Sequence, residues 1–120
     1  MTVLIVDDDP DQLNLRGMVL SQNGFETLQA LDKASAKTLA ALHRPEAAVV
    51  DLRLPTERDG FELLRALKLG DSGIRLLVLT GASAEAVRHT PEANLIDDVL
   101  TKPASVRELI EHLRRYQRNG

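Results

Sequence analysis

Cysteine and tryptophan are absent from this chain of 120 residues, and one Tyr and two Phe make up its aromatic content. Without cysteine, a disulfide framework, a thiolate-ligated zinc or iron–sulfur site and a thiol nucleophile are all excluded, and nothing points to an oxidising compartment. Phe25, Phe61 and Tyr116 are too few and too dispersed to form a base-stacking platform. No apolar run approaches the roughly 20 residues of a membrane helix. Met1-Thr2-Val3 enters an apolar run without a charged leader segment, which gives the expectation of a cytoplasmic protein with no membrane contact. Basic residues are also short: 15 Lys and Arg against 18 Asp and Glu leave a net charge of −3, the wrong sign for non-specific binding of nucleic acid. Seven Gly and five Pro rule out collagen-like and low-complexity chains.

What is present is a soluble, globular composition, 43% hydrophobic and 28% charged, sized for a single domain over residues 1–120. Charge is unevenly spread. Residues 1–12 carry Asp7, Asp8, Asp9 and Asp11 and no base, while residues 102–120 carry five bases and two acids. Val3–Val6, Ala47–Val50 and Leu76–Leu79 are continuous apolar runs, the pattern of strands buried on both faces of a parallel sheet. Phe25–Ala30 and Val99–Thr101 read as the second and fifth strands.

Helices are expected between the strands. Asp9 as N-cap, Pro10 at the first helical position and Gln12 in the capping-box position start the first, which ends near Asn23-Gly24. The second covers about 33–43. The third starts behind Asp59, with Glu62 three residues on, and stops near Gly70. A short fourth lies between Ser83 and His89, where Pro91 should end it. Ser105 and Glu108 open the last, whose buried stripe is Val106, Leu109, Ile110 and Leu113. Strand and helix in strict alternation predict an α/β, doubly wound parallel sheet with helices on both faces.

In such a sheet the functional site lies beyond the carboxyl ends of the strands. Strand 1 is followed there by Asp7-Asp8, strand 3 by Asp51, strand 4 by Thr80 and strand 5 by Lys102-Pro103. Three carboxylates so close would repel one another unless a cation joined them. An all-oxygen donor set calls for a hard divalent ion, Mg²⁺ before others.

The segments VLIVDDDPD, AAVVDLRLP, LLVLTGAS and VLTKPASVREL resemble the signature blocks of the response-regulator receiver domain of two-component signalling, and the resemblance spans essentially the whole chain. It implies a flavodoxin-like sheet of five strands in the order 2-1-3-4-5. It also implies that Asp51 is a nucleophile that becomes an aspartyl phosphate. Asp8 and Asp51 would ligate Mg²⁺ directly, the Arg53 backbone carbonyl would add a third protein oxygen, and Asp7 would act mainly through a metal-bound water. Lys102 would pair with a phosphoryl oxygen, and the Thr80 hydroxyl would move to bond the phosphoryl group once present. Gly81 leaves that edge open. The implied donor is a sensor histidine kinase or histidine phosphotransfer protein, and the output passes to a downstream protein. Such a domain is a phosphoacceptor rather than an enzyme, although it can catalyse its own phosphorylation and dephosphorylation.

Other residues have plainer readings. Asp9 is a helix cap. His43, His89 and His112 lack a catalytic spacing and are read as exposed. Arg107, Arg114, Arg115 and Arg118 form the solvated face of the last helix. Asp97 and Asp98 could pair with such arginines across a weak homodimer. Three positions depart from the family. Val99 stands where an aromatic usually swings inward, Ala104 stands where a Phe often follows Lys-Pro, and 90–96 lacks the common Gly-Ala. The loop between Asp51 and Asp59-Gly60 is also one residue longer than the commonest form. These changes motivate an alternative, a receiver-fold interaction module that is not switched by phosphorylation. A Mg²⁺-dependent phosphohydrolase of the haloacid-dehalogenase pattern would need a second Asp where this chain has Arg53. A flavin site would need a phosphate cradle where Asp7-Asp8-Asp9 repel.

Overall fold

The computed structural model describes residues 1–119, and Gly120 lies outside the described residues. Five parallel strands form one sheet in the order β2-β1-β3-β4-β5. They are β1 (Thr2–Val6), β2 (Glu26–Ala30), β3 (Ala47–Asp51), β4 (Arg75–Thr80) and β5 (Asp98–Thr101). Their register pairs Val6 with both Ala30 and Val50, Asp51 with Leu79, and Thr80 with Thr101, so the carboxyl ends of the strands finish along one edge. The expected strand order and all five expected strands are present, each within about a residue of its expected limits.

The helices are α1 (Pro10–Gln22), α2 (Lys33–His43), α3 (Glu57–Gly70), α4 (Ala84–Arg88) and α5 (Val106–Asn119). Alternation along the strands divides the core. Val3, Ile5, Ala47, Val49, Leu77 and Leu79 face α1 and α5, where Leu13, Leu20, Leu109, Leu113 and Tyr116 cover them. Leu4, Val6, Ala48, Val50, Leu76 and Val78 face the other way, onto Ala36 of α2, Leu63, Leu64 and Leu67 of α3 and Val87 of α4. Central strands covered on both sides favour apolar residues along their length, and the buried polar residues Asp51 and Thr80 stand only at their carboxyl ends. Among the described residues, no buried side-chain polar atom lacks a hydrogen-bond partner, and no helix is long and apolar enough to cross a membrane.

Local chemistry sets the helix ends. The Asp9 carboxylate accepts from the N–H groups of Asp11 and Gln12 and caps α1, and Asp32 caps α2 through the Ser35 N–H. The third helix begins earlier than expected. Thr56 is its N-cap, accepting from the Asp59 N–H while its own hydroxyl donates to Asp59 Oδ2 at 2.7 Å. Asp59 therefore sits inside the first turn, where a carboxylate faces the helix's unpaired N–H groups. Pro91 ends α4 as expected, with Thr90 extended, but it also opens a 3-10 helix over Pro91–Leu95. Glu92 in that segment is buried and ion-paired with Arg65 of α3.

Lys33 at the start of α2 bonds Glu62 at 2.6 Å and Asp59 at 3.3 Å. Glu62 and Lys33 hold each other charged, so the carboxyl is pushed below its ordinary value and the amine above. Asp59 is lowered first by the Thr56 hydroxyl and then by Lys33. The two carboxylates contribute stability that is fully present above their unfolded values and is lost as pH falls through the folded ones. The Lys33 share is present below 10.5 and lost as pH rises through its folded value. The groups are surface groups, so the effect is small. Urea midpoints of the wild type and Lys33→Met should differ near neutrality and converge in acid and in strong alkali.

On the α5 side, Asp97 accepts from the Leu76 N–H at 2.8 Å and from Arg75 at 3.5 Å. The Asp98 carboxylate accepts from the Tyr116 hydroxyl at 2.5 Å and lies 3.6 Å from His112 Nε2. Burial, reinforced by Asp98, pushes the Tyr116 phenol far above its ordinary range, and Arg75 stacks 5.7 Å from its ring centre. Asp97 and Asp98 thus have partners within the chain. His43 and His89 are exposed, but His112 is partly buried, with Nδ1 2.8 Å from the Glu108 carbonyl oxygen.

Candidate functional site

At the carboxyl edge of the sheet, the turn after β1, the end of β3 and the turn after β5 surround an open cavity of about 600 Å³. Asp7, Asp8, Asp51, Arg53 and Lys102 line it, together with Arg16 from α1. Carboxylate oxygens of Asp7, Asp8 and Asp51 lie within 4.8 Å of one another. Asp8 is exposed, whereas Asp7 and Asp51 are only 2% and 5% exposed. Such a set of converging carboxylate oxygens fits a hard divalent cation.

The backbone orients the two buried carboxylates. Asp7 Oδ1 accepts from the Asp9 N–H at 2.9 Å, and Asp51 Oδ1 accepts from the Arg53 N–H at 3.1 Å. These are Asx turns that fix each side chain where its strand ends. Lys102 Nζ donates to Asp51 Oδ2 at 2.5 Å. The peptides Leu54–Pro55 and Lys102–Pro103 are cis. Asp7, Asp8, Asp51 and Lys102 are thus brought together as their strand-end positions predict, and Arg53, singled out through the family resemblance, lines the same cavity.

Thr80 differs. It ends β4 beside Asp51's strand but does not line the cavity; it is buried, and its hydroxyl accepts from the Ala82 N–H at 3.0 Å. A side chain on the neighbouring Gly81 would meet nothing within 4 Å, so that edge is open. Val99 packs partly buried against the core on the side of α2, α3 and α4, and Ala104 lies partly buried beside the α5 core.

Sequence reasoning missed Arg16. It is 7% exposed and ion-paired with Asp7 Oδ2. The available signal was its place in the buried stripe Leu13, Arg16, Gly17 and Leu20 of α1. A charge on the core-facing stripe of a helix requires a buried partner.

Comparison with known proteins gives a consistent result. The family model described as "Response regulator receiver domain" matches residues 3–114. TcrX of Mycobacterium tuberculosis, named a probable transcriptional regulatory protein, is 34% identical over 114 residues, which are 95% of this chain and 48% of that protein. PrrA of Mycobacterium bovis, named a transcriptional regulatory protein, is 35% identical over 112 residues, 93% of this chain and 48% of that one. The chain therefore spans about half the length of these relatives. Among solved structures, the receiver domain of a Francisella response regulator superposes with a TM-score of 0.86 at 29% identity, covering 99% of this chain and 98% of that one. The chemotaxis protein CheY4 of Vibrio cholerae gives a TM-score of 0.86 at 25% identity, covering 96% and 97%.

Proposed function

The chain belongs to the response-regulator receiver family, and from that premise we propose that Asp51 accepts a phosphoryl group in a Mg²⁺-dependent reaction. The donor is a phosphohistidine on a sensor histidine kinase or a histidine phosphotransfer protein. The output is a phosphorylation-dependent contact with a downstream protein. One observation carries this reading: Asp51 is at once a member of the three-carboxylate group and the hydrogen-bond partner of Lys102.

A carboxylate oxygen of Asp51 attacks phosphorus in line with the leaving imidazole nitrogen. The O–P bond forms as the N–P bond breaks, and the nitrogen takes the bonding pair. Asp8, Asp51 and the Arg53 backbone carbonyl would hold Mg²⁺, with Asp7 in an outer position. When bound, the ion neutralises charge on the phosphoryl oxygens. Lys102, freed from Asp51 Oδ2 as that carboxylate becomes a mixed anhydride with phosphate, follows the charge onto a phosphoryl oxygen. The Thr80 hydroxyl, which accepts from the Ala82 N–H, can turn to donate its proton to another phosphoryl oxygen, and the added charge then biases α4, β5 and α5 toward a second arrangement.

Intact-mass measurement after incubation with Mg²⁺ and acetyl phosphate, and separately with a phosphorylated histidine kinase, tests the reading. Wild type should gain one phosphoryl adduct, which should fail to form when a chelator is present from the start and be absent in Asp51→Asn. Failure of wild type with both donors, or an adduct that survives Asp51→Asn, would overturn it. The break after α4 and the valine at position 99 favour one other reading, a constitutive interaction module of the same fold. Amide chemical-shift changes beyond the cavity on phosphorylation would exclude that.

A further inference from the structure

We propose that Arg16 is a built-in counter-cation of the acid cluster, which fixes Asp7 and weakens divalent-cation binding; this inference rests on the metal-binding reading of the site given above. The residue lies on the core-facing stripe of α1 between Leu13 and Leu20 and is nearly as buried as they are. A buried guanidinium is strongly destabilising unless a carboxylate meets it. The partner is Asp7, itself buried, whose other oxygen already accepts from the Asp9 N–H. Both oxygens of Asp7 therefore have donors from the chain itself. The side chain is locked between the turn after β1 and the middle of α1.

The consequence is electrostatic. Asp7, Asp8 and Asp51 face two cations, Arg16 and Lys102, which leaves the group a formal charge of −1. Replacing Arg16 with a neutral residue makes that −2. For a dication in a water-like dielectric, one added neighbouring negative charge strengthens binding about tenfold. Arg16 also occupies one oxygen of Asp7, which keeps that carboxylate an acceptor at the edge of the site. Asp8 and Asp51 are left to make the direct contacts. Its guanidinium would thus set the Mg²⁺ concentration at which the site fills.

Mg²⁺ binding curves from amide chemical shifts of the unphosphorylated protein test this for wild type, Arg16→Met, Arg16→Gln and Arg16→Lys. Methionine matches the apolar stem, glutamine keeps a hydrogen-bond donor without charge, and lysine keeps the charge. Both neutral variants should bind Mg²⁺ about tenfold tighter than wild type, and Arg16→Lys should stay close to wild type. A purely structural role would weaken binding or leave it unchanged, and that result in a folded neutral variant overturns the proposal. If neither neutral variant folds, Arg16 is a structural residue and the proposal is likewise overturned. If wild type shows no binding at tens of millimolar Mg²⁺, the metal reading of the site fails, and this inference fails with it.

Discussion

Gly60→Ala should destabilise the fold by about 2 kcal/mol or more, lowering Tm by roughly 8 °C. A β-carbon at Gly60 would stand 1.9 Å from the Leu52 carbonyl oxygen and 2.7 Å from its carbonyl carbon. These are backbone atoms of the turn that follows β3, so no side chain can move aside. Alanine's advantage over glycine within a helix, about 1 kcal/mol, opposes the clash but cannot remove it. The damage also reaches the site, because Leu52 lies between Asp51 and the Arg53 N–H that orients it. Gly70→Ala is the matching control. There a β-carbon meets nothing within 4 Å, and stability should hold or rise by a few tenths of a kcal/mol. Thermal and urea unfolding of the two variants decide the matter. Equal stabilities would show that α3 does not need its close approach to Leu52.

Lys102→Met should slow phosphoryl uptake from a small donor by about 10²-fold while leaving the domain folded, the magnitude expected for removing one preorganised charge from a transferring oxyanion. Lys102 enters the site from the turn after β5 with its side chain still partly in solvent, and its ammonium reaches Asp51 at 2.5 Å. Methionine keeps the stem and deletes the charge. Two effects then oppose each other. Asp51 loses a competing partner and becomes a freer nucleophile, whereas the negative charge that shifts to the phosphoryl oxygens loses the cationic donor that would meet it. The second effect dominates because it acts where charge develops during transfer. Time courses of adduct formation by mass spectrometry should show the loss in rate. A wild-type rate in Lys102→Met would remove Lys102 from the reaction and leave it as a tether of Asp51.

The continuous apolar runs were enough to locate the central strands, because a strand covered on both faces disfavours polar residues except at its ends. The strand-end residues Asp7, Asp8, Asp51 and Lys102 followed directly, since the register of a parallel sheet brings those ends to one edge. Local competition was harder to read. Thr56 with Asp59 and Asp59 with Glu62 both have the spacing of a capping box. The chain uses the first pair, while Glu62 bonds Lys33 and Arg58 instead. Pro91 reads as a stop, and it is one for α4, yet the same ring geometry suits the first position of the 3-10 helix that follows. Arg16 was hidden because a charge within an apolar stripe acquires meaning only when its partner, nine residues earlier in sequence, is seen to face it.

The segment between β4 and β5 has a thermodynamic consequence for how a signal could leave the domain. A helix as short as Ala84–Arg88 holds no shape by itself. It and the 3-10 turn after it keep their shape through a few anchors, chiefly Val87 in the core and the Glu92–Arg65 pair. The segment is therefore two short beads on a string instead of a rod. Its opening free energy is a fraction of the domain's, so amide hydrogens of residues 84–95 should exchange by local opening, well before those of β1 and β3. A change in charge at the far end of β4 needs only to rebalance those anchors, and the face that a partner would read can rearrange one bead at a time.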